Sequence, residues 1–267
     1  EETYTVECMM HDHKALQAGT SHYFGDGFAK AFDITFAGKD NQPHHPHQTS
    51  WGVSTRMIGG IIMTHGDDNG LVLPPRVAPI QAIVIPVAQH KAGVLDAAAS
   101  LRDRLQAAGV RTKMDESDNS PGWKYAEYEM KGVPLRVEIG PKDMEKEQCV
   151  IARRDTGEKV FVPLAELEET VKKLLDAVHD NMYAMALKNR EENTFDITSP
   201  AEAKAVTSGK GGFLRSKWCG SLACELAMKE QAGVSSRCMP LEQSGTEGVC
   251  PVCGKKCTTD IYWGVAY

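Results

Sequence analysis

Two pairs of cysteines lie near the C-terminal end of the chain, Cys219 with Cys224 and Cys250 with Cys253. The second pair has knuckle spacing, Cys250-Pro251-Val252-Cys253 followed by Gly254. A tight turn with glycine after the second thiolate lets backbone N–H groups approach the sulfurs. Four soft thiolates suit tetrahedral zinc, and a closed set of four leaves no open position for a substrate. The expected role is therefore structural. A small, weakly apolar segment gains much from such an ion, since apparent zinc-binding energies in finger peptides run to about 10–16 kcal/mol. Free thiols are the plainer alternative, but two pairs together favour zinc. Cys257 competes as a ligand through the spacing Cys253-x3-Cys257, and Cys238 is a further spare. Cys8 and Cys149 sit in strand-like runs and are expected as buried thiols.

A second group of chemistry-bearing residues lies early in the chain. Trp51-Gly52-Val53-Ser54-Thr55-Arg56-Met57-Ile58-Gly59-Gly60 reads as a strand edge passing into a helix. Ser54 or Thr55 can cap that helix. Arg56 then falls in its first turn, where the macrodipole disfavours a cation. A residue placed against local preference points to a task such as holding an anion or stacking on a base. An arginine in a surface ion pair is the plainer reading. Upstream, Gln17-Ala18-Gly19-Thr20-Ser21-His22 carries polar groups on a strand-like stretch. Taken alone, His22 reads as a satisfied histidine. The cluster His44-His45-Pro46-His47 has no regular ligand spacing and reads as a solvated loop.

These residues need elements to position them. The chain has 267 residues and 42% hydrophobic content, enough for two or three compact units. A net charge of -6 argues against nonspecific coating of nucleic acid, while leaving room for a local basic patch. No run of about 18 apolar residues is present to span a membrane. The N-terminus has neither a basic n-region nor an apolar h-region, so no signal peptide is expected. It begins without Met and enters a strand-like stretch over 4–10, as a piece of a longer polypeptide would. Eight cysteines without secretory signals imply thiols in a reducing, cytoplasmic compartment.

Texture divides the chain into segments 1–80, 81–188 and 189–267. Three close prolines in Leu73-Pro74-Pro75-Arg76-Val77-Ala78-Pro79 mark the first boundary. The apolar run 82–87 suits a buried parallel strand. A helix is expected over 94–108, with Leu95, Ala98, Leu101 and Leu105 on one face and Gly109 as the stop. Strands follow at 110–113, 135–139, 149–153 and 159–162, with a short helix over 123–130 and a long one over 164–188. This alternation implies an α/β domain with a largely parallel sheet. The last segment is expected to hold short strands, one short helix and most of the cysteines.

Together these strings resemble a known family. Gln17–His22, Phe28-Ala29-Lys30-Ala31-Phe32, Ser50–Arg56, His65-Gly66-Asp67 and Gly70-Leu71-Val72-Leu73-Pro74-Pro75-Arg76 look like the C-terminal half of a class II aminoacyl-tRNA synthetase catalytic domain, the Arg56 string resembling motif 3. Ser120-Pro121-Gly122-Trp123-Lys124, Lys131-Gly132-Val133-Pro134 and Glu138-Ile139-Gly140-Pro141-Lys142-Asp143 resemble the anticodon-binding domain of prolyl-tRNA synthetases. The cysteine domain ending in Tyr267 is similar to the extra domain of their eukaryotic/archaeal-like type. The resemblance covers essentially the whole chain.

It implies an α/β and α+β multidomain fold: the C-terminal part of an antiparallel-sheet catalytic domain over 1–80, an α/β anticodon-binding domain with a mixed sheet over 81–188, and a small α/β zinc-binding domain over 189–267. It implies ATP-dependent activation of L-proline to prolyl-adenylate and transfer to tRNA(Pro), by a homodimer. Arg56 would stack on adenine and offset phosphate charge. Gln17, Thr20 and Ser54 would hold ATP or the water shell of its Mg2+. His22 would line the proline pocket, with Trp51 and Gly52 nearby. Glu138, Lys142, Arg153 and Arg154 would read or hold the anticodon, and the Tyr267 carboxylate would brace the catalytic segment. The 219/224 and 250/253 pairing matches the family's metal module, which leaves Cys257 and Cys238 as spare thiols. Motifs 1 and 2 of the class are absent, so this chain alone is expected not to aminoacylate. A noncatalytic, synthetase-like tRNA-binding module is the alternative.

Overall fold

The computed structural model describes residues 2–267, and the chain divides into two compact units. One is His65–Lys188; the other joins the segment up to Thr64 with Asn189–Tyr267. No helix among the described residues is long and apolar enough to cross a membrane.

In His65–Lys188 a five-stranded sheet has the order Lys159–Pro163, Gln148–Arg153, Leu135–Ile139, Ala82–Pro86, Thr112–Met114. Ala82–Pro86 pairs in parallel with both of its neighbours, while the first two strands run antiparallel. The sheet is therefore mixed rather than largely parallel, because the Asp155-Thr156-Gly157 turn closes a hairpin. Every residue of Ala82–Pro86 is buried, as an uninterrupted apolar run requires of a strand covered on both faces.

The helix expected over 94–108 is Val94–Ala107. Its buried stripe is Val94, Ala98, Leu101 and Leu105, so Leu95 turns outward instead. Gly109 takes φ 85°, and Gly109 and Val110 donate to the carbonyls of Gln106 and Leu105. This Schellman closure uses Val110, which delays the next strand to Thr112–Met114. Ser120 accepts from the Trp123 N–H at 3.4 Å and caps Pro121–Met130. A 3-10 turn, Leu164–Glu166, leads into Leu167–Glu192, whose buried face is Leu167, Val171, Leu175, Val178 and Met182. Cys149 is buried as expected, and that burial pushes its thiol up to about 12.

The other unit contains two principal sheets. Glu2–Met9, Ala15–Gly25 and Gln48–Val53 form an antiparallel sheet, followed by helix Arg56–His65. A four-stranded sheet has the order Thr194–Asp196, Phe213–Trp218, Thr259–Gly264, Ser235–Cys238. Two helices accompany it, Pro200–Ser208 and Leu222–Ala232, where the sequence signalled one. The first of them is announced by Ser199-Pro200: Ser199 accepts from the Glu202 N–H, and Glu202 accepts from the Thr198 N–H. The core of this sheet surrounds Trp263, fully buried, whose indole N–H donates to Ser216 at 2.9 Å. Met9, Ala15 and Phe213 form a small apolar seam joining the two sheets. Cys8 is half-buried rather than fully enclosed.

Candidate functional site

A β-bulge organises the antiparallel sheet. Along the first two strands the pairs run Met9↔Ala15, Cys8↔Leu16 and Glu7↔Gln17, then jump to Val6↔Gly19 and Thr5↔Thr20. Ala18 is the extra residue. Side chains alternate along a strand, so residues three apart ordinarily face opposite ways. The bulge reverses that alternation and sets Gln17, Thr20 and His22 on one face. Gly52 and Ser50 stand beside Thr20 and His22 on the third strand, sharing that face. His22 is fixed by Thr3, Oγ1 to Nδ1 at 2.9 Å, and stacks on Phe24 with ring centroids 5.3 Å apart. Trp51 projects to the opposite face and is 77% exposed. Gly52 and His22 thus come together, and Trp51 does not join them.

Helix Arg56–His65 begins where the third strand ends. Ser54 Oγ accepts from the Arg56 backbone N–H at 3.3 Å, so Ser54 orders the first turn. The Arg56 guanidinium reaches back and donates to the Gln17 carbonyl at 3.3 Å. It thereby touches the strand that carries Gln17 and Thr20. Along the helix runs an open groove of about 530 Å3, lined by Met10, Leu16, Ser54, Arg56, Met63 and Tyr267 among others.

A second surface lies on the five-stranded sheet. Glu138 is buried at its base and accepts from Arg136 Nε at 2.9 Å and from the Tyr125 hydroxyl at 2.9 Å. The Lys159 ammonium lies 3.2 Å from the same carboxylate. The Arg136 guanidinium sits 4.0 Å from the Tyr125 ring centre. Burial first, then the Glu138 charge, raises the Tyr125 phenol and keeps it a hydrogen-bond donor. Lys159↔Ala152↔Arg136 and Phe161↔Val150↔Glu138 are aligned across three strands, so these side chains share one face. Phe161 is 69% exposed. A flat apolar ring beside paired donors and acceptors is what stacking on an unpaired base and reading its edge require.

Among the residues expected to touch the anticodon, only Glu138 belongs to this cluster. Lys142 is exposed on the short helix Pro141–Glu145. Arg153 makes a bidentate pair with Asp155 at 3.0 and 2.6 Å on the other sheet face. Arg154 is buried, donating to both oxygens of Asp67 and to the Glu129 carbonyl. Arg136, Lys159, Tyr125 and Phe161 were missed from sequence. The available signal was the two-residue spacing of Arg136 to Glu138 and of Lys159 to Phe161 on neighbouring strands.

The cysteine quartet forms a compact set. The sulfurs of Cys219, Cys224, Cys250 and Cys253 all lie within 4.8 Å of one another. Cys219 is 3.6 Å from Cys224 and 3.7 Å from Cys253. A tetrahedral ion with bonds of about 2.3 Å requires sulfurs about 3.8 Å apart. Burial works against the Cys250 thiolate, but backbone N–H groups of Cys253, Val252 and Cys219 outweigh it and bring the thiol down to about 7. Burial and the neighbouring sulfurs push Cys224 up to about 12. Gly254 at φ 70° closes the knuckle, donating to the Cys250 carbonyl. These four residues could hold a metal ion. Cys257 and Cys238 stand outside the set, and among the described residues no other group of three or more ligand-type side chains gathers this way. His44 pairs with Asp40 and His45 with the Ile34 carbonyl, so the histidine loop disperses its nitrogens.

Comparison with known proteins bears on all three places. Residues 81–174 match a family model described as an anticodon binding domain, and residues 200–267 match one described as prolyl-tRNA synthetase, C-terminal. A proline–tRNA ligase of Clostridium novyi (strain NT) is 55% identical over 265 residues, 99% of this chain and 55% of that protein. Over its whole length the chain resembles the prolyl-tRNA synthetase family. Proline–tRNA ligase 2 of Bacillus thuringiensis (strain Al Hakam) is 53% identical over 99% of the chain and 56% of its own length. A proline–tRNA ligase of Clostridium botulinum (strain Loch Maree / Type A3) is 54% identical over the whole chain and 56% of its own length. The chain thus spans a little over half the length of these relatives. The first family match contains the Glu138 surface and the second contains the whole cysteine quartet.

Proposed function

We propose that this chain is the C-terminal part of a proline–tRNA ligase. In this reading the enzyme joins the L-proline carboxylate to the α-phosphorus of ATP with release of pyrophosphate, then passes the prolyl group from the adenylate to a hydroxyl at the 3′ end of tRNA(Pro) with release of AMP. Such a first step is mostly positioning and charge stabilisation. The observation that carries the reading is the bulge at Ala18, which aligns Gln17, Thr20 and His22 on one face of the strand that Arg56 touches. Gln17 and Thr20 hold the nucleotide or the water shell of its Mg2+. Ser54 orders the turn from which Arg56 stacks on adenine. His22 and Gly52 line the proline pocket, and Trp51, on the opposite face of the sheet, stands outside it. A noncatalytic tRNA-binding module has no use for such an alignment.

The remaining assignments follow the same division: 1–80 as catalytic segment, 81–188 as anticodon-binding domain, 189–267 as zinc domain. Glu138, with Arg136, Lys159, Tyr125 and Phe161, reads anticodon bases, and Lys142 holds phosphate nearby. Arg153 and Arg154 support that region, each already held by a carboxylate. Cys219, Cys224, Cys250 and Cys253 hold zinc, which stiffens the fold and takes no part in the chemistry. The enzyme works as a homodimer in the cytoplasm.

The test is proline-dependent ATP–pyrophosphate exchange by the full-length enzyme. Arg56→Ala is expected to abolish adenylate formation while leaving tRNA(Pro) binding intact. Exchange at the wild-type rate in that variant would remove Arg56 from the site.

A further inference from the structure

The turn between the first two strands does more than reverse the chain. Ala15 takes part in an isolated parallel bridge with Ala266, receiving the Tyr267 N–H at 3.3 Å and donating its own N–H to Val265 at 2.7 Å. Beside it, Asp12 Oδ2 accepts from the Tyr267 hydroxyl at 2.7 Å. Lys14 closes the arrangement, 3.1 Å from that same carboxylate and with its ammonium 5.1 Å from the Tyr267 ring centre. His13, at φ 61°, turns its ring to the Lys210 carbonyl at 2.7 Å. Gly211 leaves His13 room, since a Cβ there would come within 3.2 Å of it. One short turn therefore pins the segment 265–267 and the loop after helix Pro200–Ser208 at once.

What it pins matters for the neighbouring groove. Tyr267 lines the same groove as Ser54, Thr55 and Arg56. Yet the Tyr267 side chain is exposed and, beyond Asp12 and Lys14, has little to hold it. An exposed, unanchored tyrosine samples several rotamers, and ordering it for each binding event would cost affinity. We propose that Asp12 is a positioning residue for nucleotide binding: by holding the Tyr267 hydroxyl it fixes a side chain that lines the groove with Arg56. Asp12 touches no substrate and acts only through Tyr267. The proposal rests on the reading of Arg56 as a nucleotide-binding residue.

Asp12 and Tyr267 are both exposed, so their variants should fold. In the full-length enzyme, Asp12→Ala and Tyr267→Phe are each expected to raise KM for ATP about three- to tenfold in pyrophosphate exchange, with kcat within about twofold, as loss of one charge-assisted hydrogen bond implies. The double variant should be no worse than either single one, because both remove the same bond. Asp12→Asn, which keeps an acceptor oxygen, should recover most of the loss. Melting temperature, metal content and tRNA(Pro) affinity should not move. An unchanged KM for ATP in Asp12→Ala would overturn the proposal, as would additive effects in the double variant or a fall confined to kcat. Arg56→Ala separates the two ideas. If it binds ATP normally the nucleotide reading fails; if it loses ATP while Asp12→Ala does not, only the clasp fails.

Discussion

The two units reach stability by different routes. His65–Lys188 has a large apolar cluster running from Val72 through Val84, Leu105 and Val137 to Met182, covering the sheet with two long helices. The other unit divides its apolar core between the Trp263 cluster and the small Met9–Ala15–Phe213 seam. It adds specific links: four clustered sulfurs, the buried Glu7–Arg237 pair at 3.3 Å, and the clasp at Asp12. A continuous core is stabilised by burial, at about 1.5–3 kcal/mol for each large apolar side chain enclosed. A divided core must be held by directional contacts, which are lost one at a time and more abruptly. The Glu138 surface rides on the first kind of unit, and the face carrying Gln17, Thr20 and His22 on the second.

Removing the metal should break this symmetry most strongly. We expect about one zinc per chain. Chelation, or Cys224→Ser, should cost several kcal/mol in the unit that contains Asn189–Tyr267, given that finger-type sites bind with about 10–16 kcal/mol. Thermal unfolding with protease mapping should show His65–Lys188 melting as before and the other unit melting early. Zinc content near zero, with melting unmoved by chelator, would remove the metal from the account. The converse experiment is Leu105→Ala, which empties a fully buried site beneath the sheet. It should destabilise His65–Lys188 by about 2–5 kcal/mol. Metal content should be untouched, and a loss of zinc in that variant would show that the two units do not stand apart.

The same contrast governs what could be read in advance. Ala82–Pro86 was legible because a strand buried on both faces is an uninterrupted apolar run, and most of the stripe on Val94–Ala107 because one-sided burial imposes a period that survives in one dimension. The cysteine pairs were legible because both halves of each pair are local. The alignment of Gln17 with Thr20 was not, since nothing in Ala18 announces a bulge. Nor was the Glu138 surface. Arg136 and Lys159 are distant along the chain and meet only because three strands pair in one register. Arg153 and Arg154 were expected from the resemblance to read or hold the anticodon, and the fold engages them with Asp155 and Asp67. Charge in a sequence shows where an ion pair is possible, and only packing shows whether its partner is already present.

That surface offers a smaller test. Arg136→Ala or Phe161→Ala should weaken tRNA(Pro) binding by about 1–3 kcal/mol, the range for loss of a stacked or edge-read base. Because Phe161 is exposed, its removal should leave the melting of His65–Lys188 within about 0.5 kcal/mol. Equal binding by the Phe161→Ala variant would exclude a stacking role. A large drop in stability would mean that Phe161 serves the fold.

The smallest expected effect concerns acid. Asp260 is held down to about 2, chiefly by the Lys217 ammonium at 2.6 Å, with Ser244 also donating. A carboxyl depressed on folding contributes stability that is fully present above its unfolded value near 4. That contribution is lost as pH falls through the folded value near 2. After allowance for solvent screening of a pair near the surface, the contribution is on the order of 1–2 kcal/mol. Wild type and Asp260→Asn should therefore differ in denaturant midpoint at pH 5 and converge between about pH 4 and pH 2. Asp260 also receives the Ser244 N–H, and its own backbone N–H donates to the Gln243 side-chain amide oxygen, so the 240–248 loop should loosen along with it. A difference that stays constant down to pH 2 would place the loop's anchor in the backbone bonds instead of the carboxylate. The directional contacts of this unit would then be less electrostatic, and its contrast with His65–Lys188 correspondingly smaller.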